Sequence, residues 1–197
     1  MNIKGVLFDF DGTLTEPGAL DFPAIKEELG CPADETILEY LETQPAARRA
    51  ELMKILVEKE EQAAKASRPN EGAEKCVLEL KKRGVLLGIL TRNSLVSVKK
   101  SLEKFSGVSI NDFASIITRD TSLPKPHPDG VLQAATEMGL PPSQLLMVGD
   151  FRFDIIAGKE AGAVTVLLAT KGRSVMQPGD PDPHYLIENL EEILDII

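Results

Sequence analysis

The chain has little of what secreted, membrane-spanning or nucleic-acid-binding proteins are built from. Among 197 residues there are only two cysteines, Cys31 and Cys76. They have neither metal-ligand spacing nor the density of a disulfide scaffold, so reduced, structural thiols are expected. The two histidines, His127 and His184, fall too far apart among the motifs to suggest a metal pair; His127 reads as loop structure and His184 as surface. No apolar run approaches the ~20 residues that span a bilayer, and the amino terminus lacks the basic-then-apolar pattern of a signal peptide. A cytoplasmic location without a membrane partner is therefore expected. Positive charge is in deficit, with 22 Lys and Arg against 31 Asp and Glu for a formal charge of -9. Nucleic acid and anionic lipid surfaces would repel such a chain. There is no convincing internal repeat or low-complexity tract.

What is present is an alternation. Apolar runs rich in Val, Ile and Leu recur at 3–9, 85–91, 113–118, 145–149 and 164–169, short and continuous as in strands covered on both faces. Segments with helical spacing separate them. They include 94–105, started by Ser94, then 129–138, stopped by Gly139, and 152–161, stopped by Gly162. The pattern predicts a doubly wound α/β core with a parallel sheet. Residues 16 to about 70 interrupt it, reading as helix throughout, with pieces at 21–29, 33–43 and 45–66. Leu52, Ile55 and Leu56 are expected in packing. The run Glu58-Lys59-Glu60-Glu61 reads as a solvated face, and Ser67-Arg68-Pro69-Asn70 as a linker back to the core.

The feature carrying most information about chemistry is Asp9-Phe10-Asp11-Gly12-Thr13 at the end of the first apolar run. Two carboxylates on one turn repel each other and need a cation, a shared proton or solvent. Taken alone, the segment is better explained by an Asx-type turn closing a strand. Three later segments also set polar residues after or near apolar runs: Thr91-Arg92-Asn93, Lys125 between prolines, and Gly149-Asp150 with Asp154 beyond. Strands of a parallel sheet aim their carboxyl ends at one crevice.

These four segments, in this order, resemble the four motifs of the haloacid dehalogenase-like (HAD) hydrolase superfamily. The resemblance covers 1–15 and about 71–170, and implies a catalytic core of 1–15 with 71–197. The helical segment 16–70 resembles the cap inserted after the first strand in the subfamily that includes phosphoglycolate phosphatases, although it is shorter than the bundle typical there. By resemblance, Asp9 would attack phosphorus to give an aspartyl-phosphate, and Asp11 would act as general acid and base. The dehalogenase branch lacks this second Asp, so its presence selects phosphoryl chemistry. Thr91 and Lys125 would contact the phosphoryl group, joined by the backbone N–H groups of Arg92 and Asn93. Mg²⁺ would be held by Asp9, the Asp11 carbonyl and Asp150, with Asp154 orienting its waters or Lys125. The family often carries a hydroxyl residue where Phe151 stands here.

The reading that follows is a Mg²⁺-dependent phosphatase for a small phosphorylated metabolite, monomeric by default with a dimer left open. Two alternatives are a phosphosugar mutase using the same intermediate and a non-catalytic phospho-aspartate switch. Arg92, Arg152 and the cap residues Arg48, Arg49 and Arg68 are candidates for contacting the leaving group. Cap opening is expected at the connections Thr15 to Gly18 and Ser67 to Asn70.

Overall fold

The computed structural model of the protein describes residues 2–169 and 175–197. Among them, six strands form one parallel sheet: β1 (Gly5–Phe8), β2 (Leu86–Leu90), β3 (Ser115–Ile117), β4 (Leu145–Gly149), β5 (Val164–Leu168) and β6 (Tyr185–Ile187). Their spatial order is β3-β2-β1-β4-β5-β6. The helices are α1 (Phe22–Leu29), α2 (Ile37–Glu42), α3 (Ala46–Ala66), α4 (Ala73–Lys82), α5 (Leu95–Leu102), α6 (Asp129–Met138), α7 (Arg152–Ala161) and the short α8 (Ile193–Ile196).

The central strand shows why its sequence is apolar without interruption. Successive side chains point to opposite faces, so Val6 and Phe8 enter one core with Val77, Leu80, Val98 and Leu102 of α4 and α5. Leu7 enters the other with Val131, Ala134 and Ala157 of α6 and α7. Phe8 lies opposite Ile89 of β2 and Val148 of β4. Asp9, Thr91 and Asp150 therefore emerge at the same edge. The strand order reverses at β1, which opens a crevice there, the place where open α/β sheets put their ligands.

The expected α/β architecture is what the chain adopts. Helices α6 and α7 occupy the spans anticipated for them, each closed by a glycine of left-handed conformation, Gly139 at φ 65° and Gly162 at φ 81°. Helix α5 stops at Leu102 rather than 105, because the chain there closes tighter turns, with Lys104 N–H donating to Ser101 O at 3.0 Å. Helix α2 begins at Ile37 rather than 33, after a turn in which Glu35 N–H donates to Pro32 O at 3.2 Å. Strand β6 was not anticipated. It has three residues, one neighbouring strand and an exposed Leu186, so it offers no continuous apolar run. Nor was helix α4 singled out.

Helices α1 to α3 follow β1 and supply no strand. Asp21 Oδ1 accepts from Ala24 N–H at 3.1 Å to start α1, and Gly30 at φ 69° ends it. The three helices share a core of their own, Ile25, Leu29, Cys31, Ile37, Leu41, Leu52 and Leu56, with Ile55 packed against it. Helix α3 also packs on α5. One expectation fails here. Glu60 is not on a solvated face: it is 4% exposed, on the stripe Leu52, Leu56, Glu60 and Ala64 that α3 buries at intervals of four. Chain entry and exit run side by side, with Glu16 N–H donating to Arg68 O and Asn70 N–H to Leu14 O, both at 2.9 Å.

Cys31 and Cys76 are buried and free. His127 Nδ1 accepts from Asp129 N–H at 3.2 Å in the loop before α6. His184 is exposed, as expected, with its ring against Thr165 N–H at 3.0 Å. No described helix is long and apolar enough to cross a membrane.

Candidate active site

Asp9 follows β1 directly and continues its ladder, donating its N–H to Val148 O at 2.8 Å. Lys125, 4% exposed, reaches the strand ends from the loop before α6. Its ammonium donates to Asp9 Oδ1 at 2.5 Å, to Asp154 Oδ1 at 2.6 Å and to Leu90 O at 2.9 Å. All three ammonium hydrogens thus have an acceptor. Burial alone would lower the Lys125 pKa, but Asp154 and Asp9 outweigh it and hold the ammonium above its ordinary range. Asp154 sits in the first turn of α7, and burial raises its carboxyl pKa against the pull of Lys125. Its second oxygen accepts from Phe151 N–H at 3.0 Å.

Asp11 lies two residues beyond Asp9 and is followed by Gly12, whose φ is 89°. Burial, and next the repulsion of Asp9, raise its pKa from 3.8 to about 7, opposed by a hydrogen bond from Asn93 Nδ2 to Asp11 Oδ2 at 3.1 Å. Thr91 is buried at the end of β2, and its hydroxyl accepts from Asn93 N–H at 3.0 Å. Carboxylate atoms of Asp9, Asp150 and Asp154 lie within 4.8 Å of one another. Two glycines allow this crowding. A Cβ on Gly12 would stand 2.5 Å from Asp150 Oδ2, and one on Gly149 would overlap the Asp154 carboxyl. Such a set of hard oxygen donors fits a divalent cation of the Mg²⁺ type.

These side chains line one cleft of about 320 Å³, roofed by Phe22, Ile37, Leu38 and Leu56 of the helical insertion. A protein-family model described as haloacid dehalogenase-like hydrolase matches residues 3–162. The chain belongs to this family. An uncharacterized hydrolase of Saccharomyces cerevisiae is 31% identical over 201 residues, covering 100% of this chain and 91% of that protein. A putative pyrophosphatase of Clostridium perfringens is 30% identical over 213 residues, covering 99% of this chain and 97% of its own length. Among solved structures, a hydrolase from Pseudomonas syringae matches with a TM-score of 0.79 at 22% identity, covering 98% of this chain and 96% of that one. That likeness shows the shared fold.

Of the residues singled out in the sequence of this HAD-like hydrolase, Asp9, Asp11, Thr91, Arg92, Lys125, Asp150 and Asp154 meet in the cleft. Asn93 stands behind it, where its side chain steadies Asp11. Its N–H, expected to face a phosphoryl group, is turned onto Thr91 instead, and α5 begins only at Leu95. The candidate arginines already have carboxylate partners or lie elsewhere. Arg92 makes a two-pronged pair with Glu39 of α2, at 2.9 and 2.5 Å, and stacks on Phe153 at 5.3 Å. Arg152 pairs with Asp180, Arg49 with Glu42 and Arg48 with Glu51. Arg68 lines a separate cleft. Where the family often has a hydroxyl, Phe151 packs edge-on against Phe153 at 5.0 Å.

The sequence did not single out Glu39 and Arg119, the partners of Arg92 and Glu60, nor Phe22, Lys26, Thr36, Ile37, Leu38 and Phe153 of the cleft lining. Arg119 follows β3 and pairs with Glu60 of α3, both side chains being about 5% exposed. Glu60 lines the cleft, and burial raises its carboxyl pKa against the opposing pull of Arg119. The signal for Glu60 was in the sequence, since it continues the apolar stripe of Leu52 and Leu56. The Arg119 and Glu39 partnerships had none.

Proposed function

We propose that this HAD-like hydrolase is a Mg²⁺-dependent phosphatase that acts on a small phosphorylated metabolite through an aspartyl-phosphate on Asp9. The observation that carries this reading is the pairing on one turn of a carboxylate held against an ammonium, Asp9 on Lys125, with a carboxyl whose pKa is pushed up to about 7, Asp11. Phosphate monoesters resist attack because the nucleophile meets a dianion and the alkoxide leaves poorly. A reaction of this kind needs a nucleophile, a proton source and positive charge together, and the cleft supplies candidates for each.

In this reading Asp9 attacks phosphorus in line while Asp11 gives its proton to the departing oxygen. Asp11 then takes a proton from the water that hydrolyses the aspartyl-phosphate, and the cycle closes. Lys125 offsets charge on the transferring group and, through Asp154, is held in place. The Thr91 hydroxyl donates to a phosphoryl oxygen. Mg²⁺, held by Asp9, Asp150 and the Asp11 carbonyl, would neutralise phosphoryl charge. Residues 16–70 act as a cap over a catalytic unit of 1–15 and 71–197, a division supported by their separate core. The relatives support phosphorus chemistry in general, one being named a putative pyrophosphatase.

The test is phosphate release from a panel of phosphate esters and pyrophosphate, with Mg²⁺, with EDTA, and with Asp9→Asn beside the wild type. Turnover that requires Mg²⁺ and disappears in Asp9→Asn is the expected result. Folded protein that accumulates a stable phosphorylated Asp9 without turnover would instead favour a phospho-aspartate switch.

A further inference from the structure

Of the described residues, three have a buried side-chain polar atom without a hydrogen-bond partner: Thr13, Thr118 and Glu60. Glu60 is the charged one, and it lines the cleft. Its Oε1 accepts from Arg119, while Oε2 accepts from nothing. The Ser94 hydroxyl bonds to Ser97 at 3.0 Å instead. A buried acceptor left open is costly, and native proteins keep few of them.

We infer that Glu60 reads the leaving group: its open oxygen accepts a hydrogen bond from a hydroxyl or ammonium group on the alcohol side of the substrate. This rests on the phosphatase reading above. The preferred esters then carry a polyhydroxylated or amino-bearing leaving group and no second anion. Three features of the cleft agree on this. An ionised carboxylate or phosphate has no hydrogen to give to Oε2. Two of the three lining cations are engaged by carboxylates, Lys125 by Asp9 and Asp154 and Arg92 by Glu39; the third, Lys26, is drawn to the carbonyl of Ala33 at 2.7 Å. The roof of Phe22, Ile37, Leu38 and Leu56 offers apolar surface, suited to the carbon face of a sugar and not to charge. Phosphoglycolate, whose leaving group ends in a carboxylate, fits this site poorly.

The discriminating experiment measures inhibition constants against Mg²⁺-dependent hydrolysis of p-nitrophenyl phosphate by the full chain. The inhibitors are glucitol 6-phosphate and 6-phosphogluconate, open chains that differ only in a hydroxyl against a carboxylate at carbon 1, and glucosamine 6-phosphate, which carries an ammonium. The hydroxyl and amino compounds are expected to bind about tenfold or more tightly than the acid. Glu60→Gln, which keeps an acceptor for Arg119 and can turn an amide N–H toward the cleft, should collapse the glucosamine-to-gluconate ratio to within about threefold. If that variant does not fold, the wild-type constants decide alone. Equal constants, or tighter binding of 6-phosphogluconate, overturn the inference and leave the phosphatase standing. Absence of p-nitrophenyl phosphate turnover from folded protein overturns the phosphatase reading, and the inference with it.

Discussion

Single atoms decide much at this site. Gly12 combines a left-handed backbone, at φ 89°, with a missing Cβ that leaves room for the Asp150 carboxylate. Gly12→Ala adds about 1–3 kcal/mol of strain and pushes Asp150 aside. We expect that variant to lose both stability in thermal unfolding and activity in phosphate-release assays. Asp11 provides a pH test. Its proton is present below a pKa of about 7 and absent above it, so turnover of alkyl phosphates should fall as pH rises through neutrality. Asp11→Asn should cost 10²–10⁴-fold on alkyl esters; on p-nitrophenyl phosphate, whose leaving group needs no proton, formation of the aspartyl-phosphate should be spared and only its hydrolysis slowed. A pH–rate profile for both substrate types checks this. That Asp9, Thr91 and Asp150 come together in the cleft was legible in the sequence because each ends or follows an apolar run; Lys125, between two prolines, had no such run before it. The stripe of Leu52 and Leu56 pointed to burial at Glu60, but its pairing was hidden, because Arg119 lies 59 positions away and only the folded chain brings a cation beneath that point of the helix.

Helix α3 carries the interplay of packing and charge furthest. Its buried stripe runs from Leu52 in the insertion's own core to Glu60 against Arg119. Removing the cation leaves a buried carboxylate unpaired, which costs about 3–5 kcal/mol. Arg119→Ala should therefore lower the unfolding midpoint by roughly 10 °C. The sign of its pH dependence follows from the raised Glu60 pKa. A carboxyl that holds its proton more tightly folded than unfolded gains native stability as pH falls, so the variant should recover part of the loss in acid. Calorimetry across pH would check both. Elements with a strong period, such as α6, α7 and β4, were legible to their ends. Strand β6 was not, because three residues pairing on one side with β5 need no apolar run, and tertiary pairing rather than local preference makes the strand.

At the scale of the molecule, the sheet and the insertion meet through charge. Glu39, Glu60 and Glu61 of the insertion face Arg92, Arg119 and Lys100 of the other unit. A divalent cation beneath them should add to stability. At a hundred times its dissociation constant it contributes about 2.7 kcal/mol, so Mg²⁺ should raise the unfolding midpoint by several degrees. Asp150→Asn should abolish that increase in a thermal-shift measurement.

The connections expected to hinge are themselves laced together, Glu16 to Arg68 and Leu14 to Asn70. Both ends of the insertion thus leave the sheet at a single doorway. Whatever is fastened to that doorway can be lengthened, shortened or exchanged without altering the register of β1, and the turn just beyond that strand, which bears Asp9 and Asp11, stays untouched.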